Sequence, residues 1–227
     1  MLVLDHICKT YYVGDEAVHA LDDVTLHVLP QEFVAICGPS GSGKTTLMNV
    51  MGCLDLPDSG TYVLDGTDVA ECSDNELSEI RSEKIGFVFQ QYNLLDSMSA
   101  LENVELPLIY QKCSQKERIE RAKAALDKVG LYNRMLHRPT QLSGGQQQRV
   151  AIARALASEA RVILADEPTG NLDSHSGNEI MRLICELSEQ KHTIVLITHN
   201  MDVAQLAQRI VFVRDGRLYE TNEEAAL

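Results

Sequence analysis

The stretch Gly38-Pro39-Ser40-Gly41-Ser42-Gly43-Lys44-Thr45 narrows what this chain can fold into more than any other. It fits the pattern G-x-x-x-x-G-K-[ST] in full. The apolar run Glu32-Phe33-Val34-Ala35-Ile36-Cys37 precedes it, and a helical stretch from Gly43 to Met51, closed by Gly52, follows. Glycines let successive backbone N–H groups turn inward around phosphate oxygens, and the helix N-terminus adds a favourable dipole. In that geometry Lys44 reaches the β- and γ-phosphates and the Thr45 hydroxyl ligates Mg²⁺. Gly38, Ser40, Gly41, Ser42, Gly43 and Thr46 complete the candidate nucleotide loop.

A strand feeding a loop and a helix implies an α/β core with a parallel sheet, and the rest of the pattern agrees. Val162-Ile163-Leu164-Ala165 and Thr193-Ile194-Val195-Leu196-Ile197 are continuous apolar runs, as in parallel strands buried on both faces. A helix over about 175–190 separates them. Residues 1–36 read as strands, with alternation in Val24–Leu29, and short strands are expected at Thr61–Leu64 and Ile85–Phe89. Residues 91–155 read as mostly helical, with Ile119, Ala122, Leu126 and Val129 at helical spacing. The expected organisation is a nucleotide-binding core (1–90 and 156–227) carrying an N-terminal antiparallel β subdomain, with an inserted helical subdomain at 91–155. Ligands of such sheets sit beyond the C-terminal ends of the strands. There Asp166 would hold Mg²⁺ through water, and Glu167 is the candidate general base for a hydrolytic water.

Charge excludes some partners. The 227 residues carry a formal charge of −13, which argues against a nucleic-acid binder and against a polybasic membrane anchor. The acidity is uneven: Asp55–Glu83 holds nine acids and one base, whereas Lys112–Arg138 holds eight bases and three acids. Two solvated faces explain this adequately; two different partners are the sharper alternative. No apolar run approaches the roughly 18 residues of a membrane helix, and the first residues lack the regions of a secretion signal. The six cysteines are scattered without a Cys-x-x-Cys pair and read as reduced intracellular thiols.

Leu142-Ser143-Gly144-Gly145-Gln146-Gln147-Gln148-Arg149 opens another helix, about 20 residues before Asp166. By itself it is an ordinary capping loop with two glycines. Between a phosphate loop and an acid-ended strand, however, it resembles the signature of the ATP-binding cassette family, over nearly the whole chain. The resemblance implies an ATPase using ATP and Mg²⁺. It implies that Gln90 contacts Mg²⁺ and links the core to the helical subdomain, and that His199 contacts the γ-phosphate and positions the water. Asp173, in Gly170-Asn171-Leu172-Asp173, resembles the loop that crosses to a partner subunit. Tyr11 resembles the aromatic that stacks on adenine, with Tyr12 a near-equal candidate. Gln91, Asn93 and Asn171 read as hydrogen-bonding loop residues. The family's signature acts in trans, so Ser143, Gly144, Gly145 and Gln146 would meet ATP bound to the other chain of a head-to-tail homodimer.

Further strings resemble the cassettes of macrolide-exporter and lipoprotein-releasing systems: Gly52-Cys53-Leu54-Asp55, Gly86–Gln91, Leu101–Leu108 and Asp166–Asp173. That likeness implies a separate transmembrane permease, an extracytoplasmic adaptor in some systems, and a cytoplasmic location on the inner face of the membrane. The surface around Leu94–Pro107 is the candidate docking site. Pro30-Gln31-Glu32 replaces a common Gly-Glu turn, and the 28 residues after His199 are too few for a regulatory domain. A chromosome-type ATPase is disfavoured because only 98 positions separate Lys44 from Leu142, too few for a coiled-coil insertion. A non-transport scaffold of the cell-division type is the alternative.

Overall fold

A computed structural model of the chain describes residues 2–221 and Glu224. In chain order the strands and helices are β1 (Leu2–Val13), β2 (Glu16–Val28), β3 (Phe33–Cys37), α1 (Lys44–Met51), β4 (Ser59–Leu64) and β5 (Thr67–Asp68). Next come α2 (Asp74–Lys84), β6 (Ile85–Val88), α3 (Ala100–Tyr110), α4 (Gln115–Lys128), α5 (Gly144–Ala157) and β7 (Val162–Asp166). The last are α6 (Ser174–Glu189), β8 (Thr193–Thr198), α7 (Met201–Ala204), β9 (Arg209–Arg214) and β10 (Arg217–Tyr219). The described residues form two compact units, one of residues 2–77 and 191–221, the other of residues 78–190.

In the first unit β3 lies between β8 and β9, parallel to both, and β10 pairs antiparallel with β9. Every residue of β3 and β8 is buried, which is why both read as unbroken apolar runs. A second sheet, in the order β2-β1-β4-β5, is antiparallel throughout. Its strands alternate as a one-sided sheet must: Val24, Leu26 and Val28 point inward, while Thr25 and His27 face out. Leu2 and Leu4 sit opposite Val28 and Leu26 on one side and Leu64 and Tyr62 on the other, closing a small core of their own.

In the second unit β6 pairs parallel with β7, Ile85 opposite Val162 through Val88 opposite Ala165. Helix α5 is central, packing against α3, α4, α6 and β6 with Val150, Ala151, Ile152 and Ala153 buried. Close approach of α5 to β6 requires Gly86, because a Cβ there would come within 2.9 Å of the Ala155 Cβ. Buried Asn103 shapes the segment before α3: its amide oxygen accepts from Leu95 N–H, and its nitrogen donates to the carbonyls of Leu95, Met98 and Ser99.

The α/β class, the antiparallel N-terminal sheet and the parallel strands agree with the sequence pattern. Helix α2, β9 and β10 were not anticipated. Helix α2 lies in the acidic segment and buries only Leu77 and Ile80, too narrow a stripe to register as periodic. Strands β9 and β10 form a hairpin around Asp215-Gly216, a turn signal visible in the sequence but passed over.

Candidate functional site

The nucleotide loop lies in the first unit, between β3 and α1. Gly41 and Gly43 take φ of +79° and +108°, a region that favours glycine. A Cβ on Gly43 would collide with the Ala20 carbonyl, and one on Gly38 with the Val213 carbonyl. The buried Lys44 ammonium donates to the carbonyls of Gly38 (2.8 Å) and Pro39 (2.7 Å), so the charge is held inside the loop. A phosphate is a stronger, charged acceptor able to displace these neutral carbonyls. Helix α1 has Gly43 at its N-cap and no side chain capping its first N–H groups. Ser42 is buried, and its hydroxyl has no hydrogen-bond partner among the described residues, an atom that a phosphate oxygen would satisfy. Thr45 is exposed and Thr46 half-buried at the start of α1.

The same unit holds Tyr11, Tyr12 and His199. The Tyr11 hydroxyl donates to Asp55 Oδ2 (2.7 Å). The Lys9 ammonium sits 5.4 Å from the centre of its ring. Burial, then the Asp55 carboxylate, pushes the Tyr11 phenol above its ordinary pKa. Burial works against ionisation of Asp55 but is outweighed by hydrogen bonds from Lys9, Tyr11 and the Leu56 N–H, so its carboxyl lies below the usual range. Tyr12 is 77% exposed. His199 follows the last residue of β8 at the surface, and Asn200 caps α7 behind it.

The second unit carries the remaining sites. Strand β7 delivers Asp166 at its C-terminal end, and Glu167 follows with φ of +43°. A left-handed glutamate costs roughly 1–2 kcal/mol and persists only where surroundings fix it. Here the Gly170 N–H closes the turn on the Glu167 carbonyl (2.9 Å). Gln90, just beyond β6, donates from Nε2 to Asn171 Oδ1 (3.2 Å), and Asn171 Nδ2 returns a bond to the Gln90 carbonyl (3.0 Å). A side chain at position 170 would strike the Gln90 amide. Beyond Gln90, Tyr92 and Asn93 are both left-handed, at φ +61° and +50°. Their carbonyls accept from Arg154 of α5, at 3.0 Å and 2.6 Å.

Ser143 is the N-cap of α5. Its hydroxyl accepts from Gln146 N–H (3.3 Å), and Gln146 Oε1 accepts from Ser143 N–H (3.0 Å), a reciprocal capping box. A Cβ on Gly144 would stand 2.9 Å from the Tyr92 hydroxyl, and one on Gly145 3.1 Å from Ser176. Asp173 caps α6, accepting from the N–H groups of His175 and Ser176 and from the Ser176 hydroxyl, and these bonds hold its carboxyl below the usual range. The unit thus gathers the loops at Gln90–Asn93, Ser143–Gln146 and Gly170–Asp173. A cavity of about 460 Å³ opens nearby, lined by Arg81, Phe87, Phe89, Pro107, Tyr110 and Arg154 among others. The rings of Phe87 and Phe89 are stacked, with centroids 5.3 Å apart.

Sequence reasoning passed over Lys9, Asp55 and Arg154. Asp55 closes the Gly52–Asp55 string, but nothing in the spacing pairs it with Tyr11. The hydroxyl of Thr45, the amide oxygen of Gln90 and the carboxylate of Asp166 are the hard oxygen donors that Mg²⁺ prefers. Gln90 would fit such a role, because its nitrogen donates to Asn171 and its amide oxygen remains the donor atom for a cation.

Comparison with known proteins gives the family. The sequence model of the ABC transporter family matches residues 21–170. YvrO of Bacillus subtilis, described as an uncharacterized ABC transporter ATP-binding protein, is 56% identical over 96% of this chain and 95% of its own length. MacB of Brucella melitensis, a macrolide export ATP-binding/permease protein, is 52% identical over 96% of this chain, which spans 34% of MacB. Among solved structures, the ATP-binding cassette MJ0796, a dimer in a post-hydrolysis state bound to ADP and Pi, superposes with a TM-score of 0.88. It is 47% identical, over 97% of this chain and 98% of that one. With its phosphate loop, signature helix and acid-ended strand on that fold, this chain belongs to the ABC transporter family, as an ATP-binding subunit and ATPase.

Proposed function

We propose that the chain is the motor of a membrane transporter, binding two MgATP between two copies arranged head to tail and driving a separate permease. The observation that carries this reading is the phosphate loop, with its left-handed glycines and the buried Lys44 ammonium resting on the Gly38 and Pro39 carbonyls. Gly38, Ser40, Gly41, Ser42, Gly43 and Thr46 cradle the phosphates, and Tyr11 stacks on the base. Mg²⁺, held by Thr45, Gln90 and Asp166, would neutralise charge on the β- and γ-phosphates. Glu167 accepts the proton of the attacking water, and His199 orients that water at the γ-phosphate. Ser143, Gly144, Gly145 and Gln146 of the second copy close on the same phosphate, and Asp173 lies at the junction. ATP is then part of the interface, and its hydrolysis shifts the pair toward separation.

Residues 91–155 act as the helical subdomain that receives the permease. The cavity beside Pro107 supports this, since an aromatic wall with two guanidinium groups suits an amphipathic segment carrying an acidic side chain. The likeness to MacB-type proteins favours export or extraction from the membrane, with this subunit on its inner face and an adaptor beyond it. The test is twofold. The Glu167→Gln chain should double in mass by light scattering when MgATP is added; a persistent monomer would overturn the dimer. Co-purification should recover a permease with an extracytoplasmic domain, whereas recovery of division proteins alone would overturn the transport role.

A further inference from the structure

We infer that Asp55 is a positioning residue for the nucleotide base, holding the Tyr11 ring in stacking orientation through its hydroxyl. This rests on the reading that Tyr11 stacks on adenine and adds what keeps it there. Tyr11 lies near the tip of the β1–β2 ribbon, beside the exposed Tyr12 and Val13, where a ring could rotate freely. Asp55 removes that freedom. Its Oδ1 accepts from the Lys9 ammonium (2.8 Å) and the Leu56 N–H (2.8 Å), so the carboxylate is fixed before it meets Tyr11. Its Oδ2 then accepts from the phenol at 2.7 Å.

Lys9 is itself tied to the Leu56 carbonyl (2.7 Å) and to Asp58 (3.5 Å), and Asp58 accepts from the Thr10 N–H (2.6 Å). Its ammonium, 5.4 Å from the ring centre, covers one face in a cation–π contact and leaves the base to the other face. The ring is therefore constrained at its hydroxyl end and on one face. A side chain already ordered loses little entropy when the base arrives. The Asp55 N–H donates to the carbonyl of Asn49 (3.2 Å), on the helix α1 that the phosphate loop opens. The base platform and the phosphate loop thus share one helix, which fixes the distance between the two ends of the nucleotide.

Calorimetry on the full chain with MgADP and with magnesium pyrophosphate separates base from phosphate recognition, alongside steady-state ATPase kinetics. Asp55→Ala should weaken MgADP about five- to tenfold, a partial loss of base stacking, and leave pyrophosphate within about twofold. KM for ATP should rise with kcat unchanged. In a Tyr11→Phe background, Asp55→Ala should add less than about twofold, since the hydroxyl through which it acts is gone. Asp55→Asn, which keeps an acceptor, should lie between wild type and Asp55→Ala and supplies the measurement if the alanine variant does not fold. If Tyr11→Ala binds MgADP as tightly as wild type, the stacking reading fails and the inference with it. If Tyr11→Ala weakens MgADP alone but the Asp55 variants do not, or weaken both ligands equally, or act additively with Tyr11→Phe, then only the role of Asp55 is overturned.

Discussion

Arg154→Met should release the segment that follows Gln90 and leave the rest of the second unit in place. Met keeps the length and apolar stem of arginine, so packing within α5 is largely preserved. The loss is two charge-assisted hydrogen bonds, to the carbonyls of Tyr92 and Asn93. Such bonds contribute about 1.5–3 kcal/mol each. Asn93 is exposed, so its carbonyl can turn to water instead of staying orphaned. The net cost is about 2 kcal/mol, concentrated in two left-handed residues of which only Asn93 is a type that tolerates that region. Native-state hydrogen exchange reads this directly through the Tyr92 N–H, bonded to Phe89, and the Asn93 N–H, bonded to Gln91. Both should exchange about thirtyfold faster, the equivalent of about 2 kcal/mol. The Leu95 N–H, bonded to the buried Asn103 side chain, is the internal control and should not change. A change below about threefold at Tyr92 and Asn93, or an equal rise at Leu95, would refute the idea that Arg154 pins this loop.

Other expected outcomes are more direct. Lys44→Ala should abolish nucleotide binding by calorimetry, whereas Glu167→Gln should keep binding and lower turnover by roughly a hundred- to ten-thousandfold; wild-type hydrolysis by the latter would remove Glu167 as the base. Ser143→Arg should spare ATP binding by the monomer but eliminate cooperative ATPase activity, and unchanged cooperativity would argue against a site acting in trans. Gly170→Ala should displace the Gln90 amide from Asn171, seen as loss of the coupled side-chain amide signals in NMR spectra. Asp55, Glu76, Glu102 and Asp173 all have carboxyl pKa values depressed in the folded state. Their contribution is present above the unfolded carboxylate range and lost as pH falls through the folded values, so the thermal midpoint should drop between about pH 5 and 3. Asp173→Asn should flatten part of that slope, and a midpoint independent of pH in this window would contradict the hydrogen bonding described.

Local chemistry was the legible part of this protein. A glycine-rich loop between a strand and a helix has few conformations open to it, so Gly38–Thr45 could be read without tertiary information, as could the continuous apolar runs that became β3, β7 and β8. The Ser143–Gln146 capping box is likewise a three-residue relation written in the chain. What contacts across long separations decide could not be read. Asp55 meets Tyr11 over 44 positions and Arg154 meets Tyr92 over 62, and neither partner has a spacing that announces the other.

Charge shows the same divide. The sequence contains an acidic stretch after α1 and a basic stretch from Lys112, and both could be taken as solvated faces. In the folded chain Asp55 and Asp58 instead pair with Lys9, and Arg121 of α4 donates to the Ala157 carbonyl, at the negative end of the α5 dipole. The residue types set the phosphate chemistry because a phosphate loop is a short backbone device. Which charges serve as struts and which meet solvent or a partner was left to tertiary structure, because an ion's role depends on what the fold brings within about 4 Å of it.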